Sequence, residues 1–293
     1  MKSLSIAGLL AGMTLAAPLA AHADPFQFHG SDTMAGAINE AITTGGFTTT
    51  LQYLGGGSGT GESGLINGTQ GIAPMSRALT TAAINTLLNQ GVTPTQTTVG
   101  LDGVSLFVQA QSSVTQVAIS DLQNIFTCTW TTWDQVPGSG KTGPIAAYRR
   151  NDVSGTTDTF KTLVGITTFG ACVTIVDTTE DIASHTANET GAIGYAGLSG
   201  HLVVADHPEQ SNRELAVVSP DTGDAVLPSE DTIRDFSYPL SRRLFINSIS
   251  GARSPNAAEQ AFLKKVLDRS FFDQILVDNQ FVTCPSDDDG GCP

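Results

Sequence analysis

The chain has 293 residues, with 14 basic and 28 acidic side chains and a formal net charge of −14. Charged residues make up only 14% of the sequence and apolar residues 40%, which argues against an intrinsically disordered chain. An acidic chain lacks the basic surface that a general nucleic-acid binder needs, so we expect no nucleic-acid partner.

Residues 1–23 have the pattern of a secretory signal peptide. Lys2 gives the positive start, residues 4–19 are apolar, and Ala21-His22-Ala23 is an A-x-A cleavage site. The apolar stretch is short for a membrane span and contains Gly and Pro, which favours cleavage after Ala23 over a membrane anchor. No Cys stands near the cleavage site, so we expect no lipid anchor.

In an exported chain, the four cysteines predict disulfides: Cys128, Cys172, Cys284 and Cys292. Three pairings are possible. Their positions along the chain favour Cys128–Cys172 and Cys284–Cys292. No C-x-x-C motif occurs and the five histidines are scattered, so we expect no metal site.

Short apolar runs alternate with segments of helical spacing, which predicts an α/β fold with largely parallel sheet. The predicted strands are residues 48–53, 104–109, 145–149, 191–195, 215–218 and 244–247. The predicted helices are residues 34–43, 62–67, 80–90, 119–126, 157–164 and 256–280. The polar, Pro-containing segment 206–235 is expected to be an irregular excursion.

Four clusters of Gly, Ser, Thr and Arg stand ahead of predicted helices: residues 30–33, 55–61, 75–77, and Arg150 followed by 154–156. A helix N-terminus has unpartnered N–H groups and a partial positive charge, so it attracts anions. Glycines allow close backbone approach, hydroxyls add donors, and Arg suits an oxyanion. The clusters together predict an anion site.

Each cluster taken alone has a simpler interpretation, because Ser and Thr are ordinary helix N-caps. The glycine-rich loop at residues 55–61 lacks the Lys of a Walker A motif and fits a dinucleotide fingerprint poorly. The occurrence of all four clusters in one chain is what favours a binding site over four separate caps.

These stretches resemble the periplasmic phosphate-binding proteins of ABC transporters (PstS-like substrate-binding proteins). The resemblance follows the family's order over most of the chain after residue 23, in five stretches: Gly30-Ser31-Asp32-Thr33-Met34, Gly56-Gly57-Ser58-Gly59-Thr60-Gly61, Pro74-Met75-Ser76-Arg77, Arg150-Asn151-Asp152-Val153-Ser154-Gly155-Thr156-Thr157 and Gly191-Ala192-Ile193-Gly194-Tyr195. The Arg-x-x-x-Ser-Gly-Thr spacing is the most specific of them.

The resemblance implies an α/β, two-lobed type II periplasmic-binding-protein fold, in which each lobe is a mixed sheet flanked by helices. After the signal peptide (1–23), residues 24–107 and 239–293 would form lobe 1, and residues 108–238 would form lobe 2. Two crossover strands near Leu106 and Leu240 would form the hinge. The ligand would bind in the cleft between the lobes.

The implied phosphate site takes residues from both lobes: Ser31, Asp32, Thr33, Ser58, Ser76 and Arg77 from lobe 1, and Arg150, Ser154, Gly155 and Thr156 from lobe 2. Arg149 should face away from Arg150, because neighbours in a strand point to opposite sides. In well-known members of the family, the position that matches Arg77 is an Asp that accepts the proton of monohydrogen phosphate. Our hypothesis is that Asp32 takes over this role, with a simple N-cap function as its alternative.

The resemblance implies a receptor that captures inorganic phosphate and delivers it to a membrane ABC permease, with no enzyme activity and no cofactor. We expect a monomer in the periplasm, with full secretion as the alternative. Two other functions stay open: binding of another tetrahedral oxyanion (sulfate, tungstate or molybdate), and a secreted phosphohydrolase or adhesion protein. His29 is the one histidine near a cluster, and we interpret it as structural.

Overall fold

The computed structural model describes residues 24–150, 155–197, 200–285 and 292. The predicted signal peptide (1–23) and Ser154 lie outside the described residues.

The described strands, in chain order, are β1 (Phe26–Gly30), β2 (Leu51–Gly56), β3 (Ile72–Met75), β4 (Val92–Gly103), β5 (Ser105–Gln109), β6 (Gln116–Ala118), β7 (Ala146–Arg150), β8 (Thr174–Val176), β9 (Ala192–Ala196), β10 (Asn212–Glu214), β11 (Ala216–Val218), β12 (Ala225–Val226) and β13 (Ser241–Gly251). The α-helices are α1 (Ala35–Thr44), α2 (Ser58–Asn67), α3 (Thr81–Asn89), α4 (Ile119–Phe126), α5 (Gly155–Val164), α6 (Thr179–Asn188), α7 (Glu230–Arg234), α8 (Ala257–Val266) and α9 (Arg269–Asp278). Short 3₁₀ helices lie at Asp32–Met34, Trp133–Gln135 and Pro208–Gln210.

Two of the sheets use strands from the two ends of the chain, and we call them the terminal-segment sheets. In the first, β1 runs parallel to β2. In the second, β13 lies between β3 and β4 and is antiparallel to both. Both outer strands of this second sheet contain a proline, Pro74 in β3 and Pro94 in β4. Proline is tolerated there because an edge strand does not need every N–H group for pairing.

The other two sheets use strands from the middle of the chain, and we call them the middle-segment sheets. One has the order β10-β5-β9-β7-β8 and the other β12-β11-β6. The chain passes from one group to the other between β4 and β5 and returns ahead of β13. The two passages lie side by side, because the amide of Val104 donates to the carbonyl of Leu240 at 3.1 Å.

Each group of sheets has its own apolar core. In the terminal-segment sheets, Phe28 packs against Tyr53 and Phe262 with ring centroids 5.1 and 5.8 Å apart. In the middle-segment sheets, Phe160 stacks on Tyr195 at 4.1 Å and meets Phe126 at 4.7 Å. Burial of such large side chains contributes about 1.5–3 kcal/mol each, and the aromatic contacts add to this.

Several predicted elements are confirmed within one or two residues. The helices at 34–43, 80–90 and 119–126 correspond to α1, α3 and α4, and the strands at 104–109, 145–149 and 191–195 correspond to β5, β7 and β9.

Other expectations about secondary structure were wrong. The predicted helix 256–280 is two helices, because the Asp268 side chain accepts from the Ser270 amide and starts α9 anew. The segment 206–235 is not irregular: it contains β10, β11, β12 and α7. The sheets are mixed instead of largely parallel, because β13, β5 and β10 pair antiparallel with their neighbours.

Two disulfides are present, Cys128–Cys172 and Cys284–Cys292, which is the favoured pairing. Among the described residues, no helix is both long enough and apolar enough to span a bilayer.

We expect the two disulfides to stabilise the protein unequally. They close loops with sequence separations of 44 and 8 residues, and the cost of closing a loop in the unfolded chain grows with its length. Replacing Cys128 and Cys172 together by Ser should lower the free energy of unfolding by about 4 kcal/mol, and replacing Cys284 and Cys292 by about 2.5 kcal/mol. Denaturant unfolding of both double variants measures this, and an equal loss would contradict the prediction.

Candidate functional site

Three serine hydroxyls from separate loops meet at one point. Ser31 follows β1, Ser58 begins α2 after β2, and Ser76 follows β3. Ser31 Oγ donates to Ser76 Oγ at 2.8 Å, and Ser58 Oγ lies 3.3 Å from Ser76 Oγ. The Ser76 amide donates to Ser58 Oγ at 3.0 Å. This serine cluster therefore forms at the carboxyl ends of three strands, where loops of α/β sheets commonly bind ligands.

The glycine-rich loop brings α2 to the serine cluster. Gly55, Gly56 and Gly57 have φ values of 64°, 93° and 90°, in the region that favours glycine. A Cβ atom at Gly55 would lie only 2.3 Å from Asp32 Oδ1. With glycine there, Asp32 Oδ1 accepts a hydrogen bond from the Gly56 amide at 2.8 Å. The loop thus holds the Asp32 carboxylate and presents the N-terminus of α2.

The serine cluster lines a cavity of about 700 Å³ that both groups of sheets help to form. On the terminal-segment side, the lining includes five of the predicted ligands: Ser31, Asp32, Ser58, Ser76 and Arg77. On the middle-segment side, polar residues of α5 face it: Thr159, Lys161 and Thr162. Part of the remaining wall is apolar and comes from four residues: Leu163, Ile166, Phe236 and Phe245.

Arg77 lines the cavity, but a carboxylate offsets its charge. Arg77 Nη1 donates to Glu62 Oε2 at 2.9 Å and to the carbonyl of Ala78. Glu62 also accepts from the amide and hydroxyl of Thr80. Burial alone would raise the pKa of Glu62, but the hydrogen bonds from Arg77 and Thr80 hold this pKa below its ordinary value. Glu62 is therefore ionised at neutral pH, and the pair is close to neutral.

Two predicted ligands of the middle segment, Arg150 and Thr156, are not among the described residues that line the cavity. Arg150 Nη1 donates to Thr179 Oγ1 at 2.9 Å, and its Nε is buried without a hydrogen-bond partner in the described part of the chain. Gly155 begins α5. The middle turns of this helix reach the site through Thr159, Lys161 and Thr162. The ligand roles of Arg150, Ser154, Gly155 and Thr156 stay predictions.

Arg149 and Arg150 have different neighbours, in accord with their alternation along β7. The guanidinium of Arg149 lies 4.6 Å from the ring centroid of Phe169. His29, the histidine nearest a cluster, is not part of the cavity lining, and its Nδ1 lies 3.2 Å from the carbonyl of Gly55.

Arg242 is a cavity residue that the sequence reasoning missed. It is buried, lines the cavity and donates to Asp102 Oδ2 and to Thr33 Oγ1. Thr33 itself does not line the cavity. Arg242 stands in a β-strand with no Gly, Ser or Thr cluster ahead of a helix, so the pattern that located the other residues could not find it. The available signal was a charged residue in each of two segments that also contain buried apolar residues: Asp102 follows Leu101, and Arg242 precedes Leu244.

We expect the Arg77–Glu62 pair to make stability depend on pH. A carboxyl whose folded-state pKa is lowered stabilises the protein at neutral pH, and this stabilisation is lost as the pH falls through that lowered pKa. Glu62→Gln should therefore reduce the free energy of unfolding by about 1–2 kcal/mol at neutral pH and by less in acid.

The matched control is Glu230→Gln. Glu230 pairs with Arg234 at 3.7 Å but its side chain is 75% exposed, so its removal should cost less than about 0.5 kcal/mol. Denaturant unfolding of wild type and both variants across the acid range measures the difference. A loss for Glu62→Gln that stays constant with pH would contradict the assignment.

Comparison with known proteins places this geometry in a family. Residues 16–269 match the family model described as the PBP superfamily domain. The phosphate-binding protein PstS of Pseudomonas aeruginosa is 24% identical over 249 residues, covering 80% of this chain and 75% of that protein.

Solved structures share the fold. An ABC-type phosphate transport receptor from Vibrio cholerae superposes with a TM-score of 0.72 at 21% identity, covering 88% of this chain and 99% of that one. A possible phosphate-binding protein from Planctomyces limnophilus DSM 3776 superposes with a TM-score of 0.73 at 20% identity, covering 90% of this chain and 95% of that one. Since the family model spans most of the sequence and these structures share its fold, the chain belongs to the PBP superfamily.

Proposed function

We propose that this protein is an extracytoplasmic solute-binding protein that captures inorganic phosphate in the cavity and delivers it to a membrane ABC permease. The observation that carries the proposal is the serine cluster, in which the hydroxyls of Ser31 and Ser58, from two other loops, both lie within hydrogen-bond distance of the Ser76 hydroxyl at the cavity wall. A tetrahedral oxyanion presents several acceptor oxygens at once, and convergent hydroxyl donors suit it.

The N-terminus of α2 adds to this site. Gly57, Ser58 and Gly59 line the cavity at the first turn of the helix. Backbone N–H groups and the helix dipole favour an anion at such a position. The names of the similar proteins, a phosphate-binding protein and a phosphate transport receptor, support phosphate as the anion and a transporter as the partner.

We propose two lobes with boundaries close to those that the sequence predicted, which were residues 24–107 with 239–293 for one lobe and residues 108–238 for the other. The separation into terminal-segment and middle-segment sheets supports the division. β5 pairs with β9 and β10, which favours a boundary a few residues earlier, at Val104. The adjacent passages at Val104 and Leu240 would then form the hinge.

The acidity of the whole chain does not prevent anion binding in this arrangement. Surface carboxylates beyond a Debye length of about 8 Å are largely screened. Donors inside the cavity act at short range, and each hydrogen bond to a charged group contributes about 1.5–3 kcal/mol. The local donors therefore dominate the affinity, whereas the negative surface slows capture.

A binding function explains the site better than hydrolysis does. The described serines of the cluster hydrogen-bond to each other, and the His29 ring lies against a backbone carbonyl outside the cavity. Nucleophilic catalysis needs a hydroxyl paired with a general base.

We also propose periplasmic localisation after cleavage at Ala23, in keeping with delivery to a permease.

The decisive experiment is native mass spectrometry of the purified protein, followed by calorimetric titration after the ligand has been removed by denaturing exchange. We expect a retained phosphate and a phosphate Kd on the order of 1 μM or tighter. Sulfate, tungstate and molybdate are titrated in parallel. Tighter binding of one of these would replace phosphate as the ligand, and no binding of any would refute the proposed function.

We expect Ser58→Ala to weaken phosphate binding by about tenfold or more, because it removes a donor and the acceptor that holds the Ser76 amide. The control is Ser120→Ala, an exposed serine on α4 whose hydroxyl is far from the cavity lining. Calorimetry with phosphate measures both variants. Equal affinities for Ser58→Ala and wild type would remove the serine cluster from the site.

Asp32→Asn tests the proton-acceptor role. Asp32 Oδ1 is engaged by the Gly56 amide, so we expect the other carboxylate oxygen to accept the proton of monohydrogen phosphate. Sulfate carries no proton and would leave that oxygen unpaired against a negative charge. The preference for phosphate over sulfate should therefore fall by at least about tenfold in Asp32→Asn, whereas Ser58→Ala should weaken both anions alike. Unchanged discrimination would exclude Asp32 from this role.

A further inference from the structure

Arg242 and Asp102 form a buried ion pair where the two passages between the groups of sheets begin. They lie directly opposite each other in the β13–β4 register, one residue from the ends of their strands. Arg242 Nε and Nη2 donate to Asp102 Oδ2 at 3.0 and 2.8 Å, and the side chains are 9% and 11% exposed. The next contact along the chain is the bond from Val104 to Leu240.

The same guanidinium reaches two loops of the candidate site. Nη2 donates to Thr33 Oγ1 at 2.7 Å, in the 3₁₀ helix that follows Ser31. Nη1 lies 3.4 Å from the carbonyl oxygen of Ser76, the residue at the centre of the serine cluster. One side chain therefore joins β4, β13 and the loops after β1 and β3, and it does so while lining the cavity.

These contacts fix the direction of hydroxyl donors. Guanidinium has donors and no acceptor, so the Thr33 hydroxyl can only accept from Arg242 and must turn its own proton elsewhere. The planar fork of Arg can bind several acceptors at once, which the ammonium of Lys cannot do in the same geometry. Asp102 takes the Nε and Nη2 edge, which leaves the Nη1 edge on the side of Ser76 and the cavity.

We propose that Arg242, held in place by Asp102, is a positioning residue of the anion site that also presents positive charge at the cavity wall. The inference rests on the proposed function, and it names a determinant that none of the Gly, Ser and Thr clusters contains. By fixing Thr33 and the Ser76 loop relative to the strands of the hinge, Arg242 holds the donors of the terminal segment in the geometry that an anion requires.

A purely structural role is a poor explanation of this pair. Burying two charges costs several kcal/mol per ion, and well-packed apolar residues often stabilise a protein as much or more. Arg77, another cavity arginine with a carboxylate partner, is paired at a more open position, with 33% of its side chain exposed. Burial strengthens the field of Arg242 on a nearby anion, because screening by solvent is weaker there.

The test compares Arg242→Lys and Arg242→Met with a matched control, Arg253→Lys. Arg253 is another arginine of the terminal segment; its guanidinium donates to the carbonyls of Leu65 and Ile66 and it does not line the cavity. For each variant, calorimetry gives the phosphate Kd at a pH where phosphate is the monoanion and at one where it is the dianion. Denaturant unfolding without ligand gives the stability.

We expect a loss of affinity of about tenfold in Arg242→Lys, which keeps the charge, and of about a hundredfold in Arg242→Met. In Arg242→Met the loss should be larger for the dianion, because a missing positive charge matters more to the more negative ligand. Arg253→Lys should lose about as much stability as Arg242→Lys, but it should bind phosphate within about twofold of wild type.

Three results would overturn the inference: affinities of both Arg242 variants within about threefold of wild type, a loss matched by Arg253→Lys, or equal losses for monoanion and dianion in Arg242→Met. If Arg242→Met does not fold, the affinity of Arg242→Lys relative to Arg253→Lys decides. Failure of the wild-type protein to bind phosphate would refute the proposed function itself, so binding to the wild-type protein is measured before any variant.

Discussion

The contact of Ser31 with Ser76 and Ser58 is the interaction on which the rest of the site depends. It exists because the chain places three strand ends side by side: the Ser31 amide donates to the carbonyl of Pro74 in β3 at 2.9 Å, and β1 pairs in parallel with β2. Each loop then adds its own donor at the same point. A hydroxyl that donates to its neighbour can rotate to donate to an anion, so the cluster supplies donors without burying unpaired polar atoms.

The positive charge of two cavity arginines is balanced by carboxylates next to them. Arg77 and Arg242 both have carboxylate partners, Glu62 and Asp102, at hydrogen-bond distance. Neutral donors and a helix N-terminus act beside these paired arginines, and all of them work at short range in a chain whose net charge is −14. Such a site can discriminate anions by the number and direction of their protons, because every misplaced donor or acceptor inside it is costly.

The sequence predicted the local features of the fold and of the site better than the long-range ones. Helices such as α4 were predicted because their apolar spacing is a local signal, and Ser31, Ser58 and Ser76 because each precedes a helix or follows a strand. β4 was missed because Pro94 and a run of polar residues replace the apolar alternation that predicts a strand.

The pairing of Arg242 with Asp102 was missed for a different reason. The two residues are distant in sequence and are brought together only by the register of β13 on β4. The middle turns of α5 were missed as cavity residues because the orientation of a helix against another segment depends on packing, which no local pattern encodes.

Pro94 has a consequence beyond the shape of its own sheet. β4 pairs with β13 on one side, and on its other side Leu101, near the end of the strand, forms a β-bridge with Val282. The remaining edge would be a template onto which a strand of another molecule could add. Pro94 offers no N–H group for such an addition, so this edge is a poorer template for a strand of a second copy.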